Sequence, residues 1–286
     1  MLITNKILII KINIILMEDH KIISSKDNDD FVVTDSFLKL YKKFEELKHD
    51  KGRIILVIGS PGTGKSSNIY KALKNRNLNY YEPVLFLNNT EKGSLSVYKE
   101  LINGIKKDFD VKTKEEIFNE FSNYDVVLVA DKILDSESLN EKKIGLGGWI
   151  KNKGLKSIPF YLIILFQYII NRRNLLKINL VVHTTWAVRI KGYKYDLITD
   201  FSIFSKIISL ILKIFFEVVE ISYSKEDTIK IVKNHFKDAD NEKIKYYTKR
   251  YGNKPRYILD ALENKTINHK DFKSSKPVKT IGKSGK

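Results

Sequence analysis

Gly59-Ser60-Pro61-Gly62-Thr63-Gly64-Lys65-Ser66 fills every fixed position of the pattern G-x-x-x-x-G-K-[ST]. It lies between the apolar run of residues 53–58 and a helix-forming stretch, 65–74. Together these three pieces demand a buried strand, a tight turn and a helix in immediate succession. The glycines reach backbone conformations closed to other residues, so successive N–H groups can converge on one anion while the helix directs its positive end there. A chance glycine-rich turn would seldom meet both the constrained letters and the two flanks. Residues Gly59, Ser60, Pro61, Gly62, Thr63, Gly64, Lys65, Ser66 and Ser67 are therefore expected to cradle the phosphates of a nucleoside triphosphate, ATP. Lys65 is expected to face the β- and γ-phosphates, and Ser66 to ligate Mg2+.

At 286 residues the chain can bury a sizeable core, and it contains no cysteine, which removes disulfides, thiolate metal sites and cysteine nucleophiles. Its histidines, His20, His49, His183, His235 and His269, show no ligand spacing. The formal net charge of +17 favours an anionic partner such as DNA, although the lysines are scattered and arginines are few. The local concentration of lysine is the tail 265–286, expected to be a solvated arm first and a nucleic-acid arm second.

The apolar N-terminus, residues 1–16, is too short to span a bilayer and carries Lys11; a strand, or a true start at Met17, accounts for it. The apolar stretches 158–170 and 201–216 are likewise short or broken by lysine and are expected to be buried helices. No transmembrane segment is expected, and the expected location is the cytoplasm.

Apolar residues at helical spacing, Phe37, Leu40, Tyr41, Phe44 and Leu47, predict a helix over 34–48 capped by Thr34 or Asp35. Beyond the loop the pattern predicts a strand at 83–87, helices at 95–107 and 114–121, and a strand at 124–131. A helix at 159–171, a strand at 177–184, a helix at about 197–212 and a strand at 215–221 follow. This alternation predicts a parallel sheet flanked by helices. After Ser222 only helices follow, one capped by Ser224, one capped by Asp240 and ending at Gly252, and one begun by Pro255.

This chain resembles the AAA+ superfamily of P-loop ATPases, particularly small archaeal members related to replication initiators, over roughly residues 30–264. The resemblance rests on the loop at 59–66, a Walker B-like strand ending at Asp131, a sensor-1-like strand end at His183-Thr184-Thr185, the passage Glu217 to Glu226, and the sensor-2-like Gly252-Asn253-Lys254-Pro255-Arg256. It implies an α/β fold, a P-loop NTPase parallel sheet flanked by helices and followed by a small all-helical lid. The expected division is an N-terminal extension 1–30, a nucleotide-binding domain 31–222, a lid 223–264 and a basic tail 265–286. Asp131 would hold Mg2+ with Ser66, Thr184 or Thr185 would bond the γ-phosphate or a water, and Arg256 would reach the γ-phosphate from the lid.

Two positions depart from the family. The residue after Asp131 is Lys132, where a glutamate usually activates water; Asp135, Glu137 or Glu141 could substitute. Loss of such a base costs about 10²–10⁴ in rate. Residues 210–216 offer Lys213 and no arginine finger, with Arg172, Arg173 and Arg189 nearest. The functions that follow are a slowly hydrolysing ATPase or nucleotide switch acting on a nucleic-acid or protein partner, a nucleotide-dependent DNA-binding protein without useful turnover, or a P-loop kinase for a small molecule. The oligomeric state is not legible.

Overall fold

A computed structural model describes residues 31–83, 94–130, 158–184, 187–190, 193–196 and 198–263. In chain order the described elements are α1 (Asp35–Glu46), β1 (Ile54–Ile58), α2 (Lys65–Asn75), β2 (Tyr80–Tyr81), α3 (Ser94–Asp108), α4 (Lys114–Asn123), β3 (Val127–Ala130), α5 (Ile158–Ile170) and α6 (Arg172–Leu175). They continue with β4 (Asn179–His183), β5 (Ala187–Ile190), β6 (Tyr193–Asp196), α7 (Ser202–Phe215), β7 (Glu217–Glu220), α8 (Lys225–His235), α9 (Asn241–Tyr251) and α10 (Pro255–Leu262). The apolar N-terminus, the basic tail and the polar stretch after β3 lie outside the described residues.

The expected α/β fold is present as a five-stranded sheet of order β2-β3-β4-β1-β7, every pairing parallel. Strand β1 carries the alternation that a two-sided sheet requires. Its Ile55 and Val57 join α1 and α2 in one core through Phe37, Leu40, Phe44, Ile69 and Leu73. Its Leu56 and Ile58 face the other side, where Ile198 and the partly buried Ile208 and Leu212 of α7 meet them. A third core, from Tyr81, Val97, Leu101, Phe109 and Phe121, packs α3 and α4 near the amino ends of the strands.

Helix α1 starts where the sequence places it, with the Thr34 hydroxyl accepting from the Phe37 amide at 3.3 Å. A cap of this kind contributes about 1 kcal/mol. Its far end is tied down by charge. Arg53, immediately before β1, donates to both carboxylate oxygens of Glu217 at 2.6 Å, and it also pairs with Glu46 and Asp50. Lys43 reaches the same Glu217 at 3.0 Å. The cluster joins α1, β1 and β7 at the end of the sheet remote from the glycine-rich loop.

The main departures from the sequence reading are these. The strand expected at 83–87 pairs at Tyr80 and Tyr81, opposite Val127 and Leu128; residues 84–87 lie outside the described residues. The antiparallel hairpin of β5 and β6 was not anticipated, because its strands have four residues each and carry no long apolar run. The helix expected from Leu197 begins at Ser202, since the Asp196 carboxylate accepts the Ile198 amide at 3.2 Å and diverts the backbone into a turn.

The last three helices enclose a core of their own from Val232, Ile244, Tyr251, Ile258 and Ala261. Ser224 and Asp227 form a reciprocal capping box on α8, Asp240 caps α9, and Pro255 opens α10.

Burial pushes the Glu217 carboxyl up, but hydrogen bonds from Arg53 and Lys43 outweigh it and hold its pKa below the ordinary value. A depressed folded-state pKa gives stability that is full above the unfolded value of about 4.3 and is lost as pH falls through the folded one. Glu217→Gln should therefore lower thermal stability at neutral pH and flatten the acid limb of the stability profile below about pH 4.5. Thermal melts of both proteins across that window measure it; parallel acid limbs would refute the assignment.

Candidate functional site

The loop from Gly59 to Gly64 leaves β1 at the carboxyl end of the sheet. On one side of β1 lies β4, and on the other lies β7, to which the chain crosses only later. Strand order thus reverses at β1, which opens the crevice where α/β sheets bind ligands. Gly59, Gly62 and Gly64 have φ of +152°, +83° and +68°, values that side chains disfavour. At Gly59 a Cβ would lie 2.5 Å from the carbonyl oxygen of Ile221, so the chain turns beneath the end of β7 only as glycine. Gly64 is the N-cap of α2, and a Cβ there meets nothing closer than 3.7 Å.

Lys65 is buried, and its ammonium donates to the carbonyl oxygens of Gly59 and Ser60 at 2.8 and 3.2 Å. The amine is thereby folded over the loop it belongs to. The Thr63 hydroxyl donates to the Ser60 carbonyl at 2.8 Å and closes the turn. Ser66 is half-buried and Ser67 exposed on the first turn of α2. A buried ammonium, a helix N-terminus and glycines that leave the backbone uncovered form a donor set suited to a polyphosphate. These residues therefore fit the ATP and Mg2+ implied by the sequence pattern.

Sequence reasoning missed the residues that brace the loop from the side. The Ser60 hydroxyl donates to Asp200 Oδ1 at 2.7 Å and lies 3.1 Å from Thr199 Oγ1. Asp200 Oδ2 accepts the Asp196 amide at 2.9 Å, and the Thr199 hydroxyl donates to the carboxylate of fully buried Asp196 at 2.9 Å. The turn between β6 and α7 is thus fastened to the second residue of the loop. Nothing in the spacing of residue 60 and residue 200 announces this; the hairpin and the return of α7 create it.

From the opposite direction the three-helix unit reaches the loop. The Arg256 amide donates to the Gly62 carbonyl at 3.2 Å, and a Cβ on Gly62 would meet the Tyr257 ring at 2.8 Å. The Arg256 side chain is exposed beside that contact. Asn68 on α2 donates to the Tyr223 hydroxyl at 2.9 Å, and Asn253 donates to the Tyr223 carbonyl at 2.9 Å, which fixes the approach of the unit. Burial raises the Tyr223 pKa above its ordinary value, so this phenol stays neutral.

Thr184 follows β4, half-buried, with its amide donating to the Val57 carbonyl at 3.2 Å. It thus stands at the same end of the sheet as the loop. Ala130 ends β3 opposite Val182; Asp131, the residue after it, and Thr185 lie outside the described residues, as do Lys132, Asp135, Glu137 and Glu141. Asp125, before β3, is exposed and pairs with Lys51 at the remote end. Arg172 and Arg173 are exposed on α6, which leads into the amino end of β4, and Lys213 is exposed on α7; the Arg189 side chain is outside the described set.

No family model matches this chain, and no curated protein matches it in sequence. Among solved structures it is similar to Cdc6p from Pyrobaculum aerophilum, with 13% identity and a TM-score of 0.45 over 83% of this chain and 63% of that one. It is also similar to AMPPCP-bound DnaA from Aquifex aeolicus, with 16% identity and a TM-score of 0.42 over 82% of this chain and 62% of that one. The chain therefore spans under two thirds of the length of either protein.

The glycine geometry orders two substitutions. Gly64→Ala should cost about 1–2 kcal/mol, the penalty of a left-handed residue with space around it. Gly59→Ala should cost clearly more, because the new methyl collides with main chain at Ile221. Urea denaturation of the two variants measures the order; equal losses would contradict the packing of the loop beneath β7.

Proposed function

We propose that this chain binds Mg·ATP at residues 59–67 and acts as an AAA+-like ATPase or nucleotide switch with slow hydrolysis, coupling its nucleotide state to a nucleic-acid or protein partner. The observation that carries this reading is the meeting of two elements at one loop: the buried Lys65 bonded to its carbonyls and the start of α10 against Gly62. A ligand that fills the loop must act on α10, and that is what a switch requires.

The residues divide the work. Lys65 leaves the loop carbonyls for the β- and γ-phosphates, and the amides at the start of α2 hold the polyphosphate. Ser66 and Asp131 are the residues that would hold Mg2+, whose charge neutralises the phosphate oxygens when bound. Thr184, with Thr185, would orient a water or the γ-phosphate from the end of β4. Arg256 would detect the γ-phosphate from residues 223–264, acting as a lid on the nucleotide-binding region 31–222. Asp200 would steady Ser60 through the hydrogen bond between their side chains.

Lys132, in the place of a water-activating glutamate, favours a second reading in which ATP is held and DNA is bound without useful turnover. The net charge of +17 is consistent with it. A P-loop small-molecule kinase is less well supported, because the proline-initiated helix touches the loop directly.

Lys65→Ala should weaken ATP binding about 10- to 100-fold, the loss of charge-assisted hydrogen bonds to phosphate. Arg256→Ala should weaken ATP while sparing ADP, and Asp131→Ala should remove the Mg2+ dependence of tight binding. Paired ATP and ADP titrations with single-turnover hydrolysis test all three. Unchanged affinity in folded Lys65→Ala would end the nucleotide reading, equal loss of both nucleotides in Arg256→Ala would end the lid role, and rapid unassisted turnover would end the reading of Lys132.

The charge leads to a separate expectation. DNA binding should be weakly sequence-selective and fall steeply as salt rises, through release of counterions. Fluorescence anisotropy with a labelled duplex at rising salt reads it, and salt-independent binding, or none at low salt, would exclude nucleic acid as the reason for the charge.

A further inference from the structure

Helices α5 and α7 present the inverse of an ordinary surface helix. On α7 the core side is made by Ser205, Ile208 and Leu212, and the positions opposite them are Ile203, Ile207, Leu210 and Ile214. Those four are 74%, 52%, 68% and 73% exposed, so the most solvent-facing ridge is aliphatic. On α5 the Gln167 side bonds Tyr98 and Lys114, while Leu162, Leu165, Phe166 and Ile169 project outward with exposures of 53–61%. The end of α7 comes close to α5, since the ring of Phe216, the residue after α7, lies 5.8 Å from that of Tyr168. A helix apolar on both faces calls for an apolar medium on both.

Charge identifies that medium. Between Glu141 and Asp196 the sequence has no acidic residue, and none between Asp200 and Glu217. Asp196 and Asp200 are themselves engaged by Thr199 and Ser60. Exposed Lys206 and Lys213 run along one edge of the α7 ridge, and Arg172, Arg173 and Lys177 follow α5. A second copy of the chain placed ridge to ridge would bring Lys206 and Lys213 of the two α7 helices together with no carboxylate on either helix to offset them, which like charges resist. Neither helix is long enough to cross a bilayer. Aliphatic side chains bordered, along their own segments 158–177 and 202–215, by cations and by no carboxylate fit the boundary between acyl chains and anionic headgroups.

We propose that α5 and α7 form a docking face for an anionic lipid surface, with the aliphatic ridges entering the acyl boundary and Lys206, Lys213, Arg172 and Arg173 meeting the headgroups. The face is distinct from the phosphate loop, so peripheral attachment and nucleotide binding occur on different surfaces of the chain.

The test is vesicle flotation of the full chain with phosphatidylglycerol-containing and pure phosphatidylcholine vesicles. Binding to the anionic vesicles should be at least about tenfold stronger. Ile203→Glu with Ile214→Glu should abolish it, and the milder pair Lys206→Gln with Lys213→Gln should reduce it severalfold with an unchanged far-UV spectrum. Failure of flotation with both vesicle types overturns the proposal. So does flotation indifferent to both variant pairs, which would assign the binding to cations elsewhere in the chain. Light scattering that shows a dimer dispersed by the glutamate pair would instead identify a second copy as the occupant. A large loss of thermal stability in that pair would identify the chain's own residues.

Discussion

Strand β1 is the constraint from which the rest of the molecule is arranged. It is hydrogen-bonded on both edges, to β4 and to β7, and its side chains alternate between two separate cores. A strand held in this way has no freedom to slip, since a shift of one residue would exchange the two cores. The loop that follows therefore leaves the sheet at a fixed point, and its first glycine is set beneath the carbonyl of Ile221 by close contact rather than by flexibility. Arg53 performs the corresponding service at the other end, gathering α1 and β7 around the start of the same strand.

Around that anchored loop three separate parts of the chain converge. Helix α2 begins within it, the turn after β6 holds Ser60, and α10 rests on Gly62. Each contact is made by a different chemical means: a helix terminus, a carboxylate–hydroxyl bond, and an aromatic ring with an amide. Under the proposed function, occupation of the loop by an anion would change the demands on all three at once, because each bonds to or begins in the same few residues.

The parts legible in the sequence were those in which spacing is local. The glycine pattern, the stripe from Phe37 to Leu47, the capping serine at Ser224 and the Gly252-to-Pro255 break each state their structure within a few residues. The parts that were not legible depend on distant segments. Asp200 looks like any polar residue before a helix until the hairpin brings it to Ser60. The extent of β2 is set by pairing with β3 rather than by the apolar run that follows it. The outward ridges of α5 and α7 read as buried helices in the sequence, because periodicity reports apolarity and not which neighbour will cover it.

The ring of Tyr257 against Gly62 makes the loop sensitive to sequence far from it. On the proposed reading, linkage requires that whatever free energy a ligand in the loop spends on moving α10, a substitution that moves α10 the same way returns to ligand affinity. Within the loop, close contacts at Gly59 and Gly62 leave little room for adjustment. The small core of Val232, Ile244 and Ile258 has no such restriction. Packing among three helices is therefore where the position of α10 over Gly62 can be adjusted without any change in the loop's own residues.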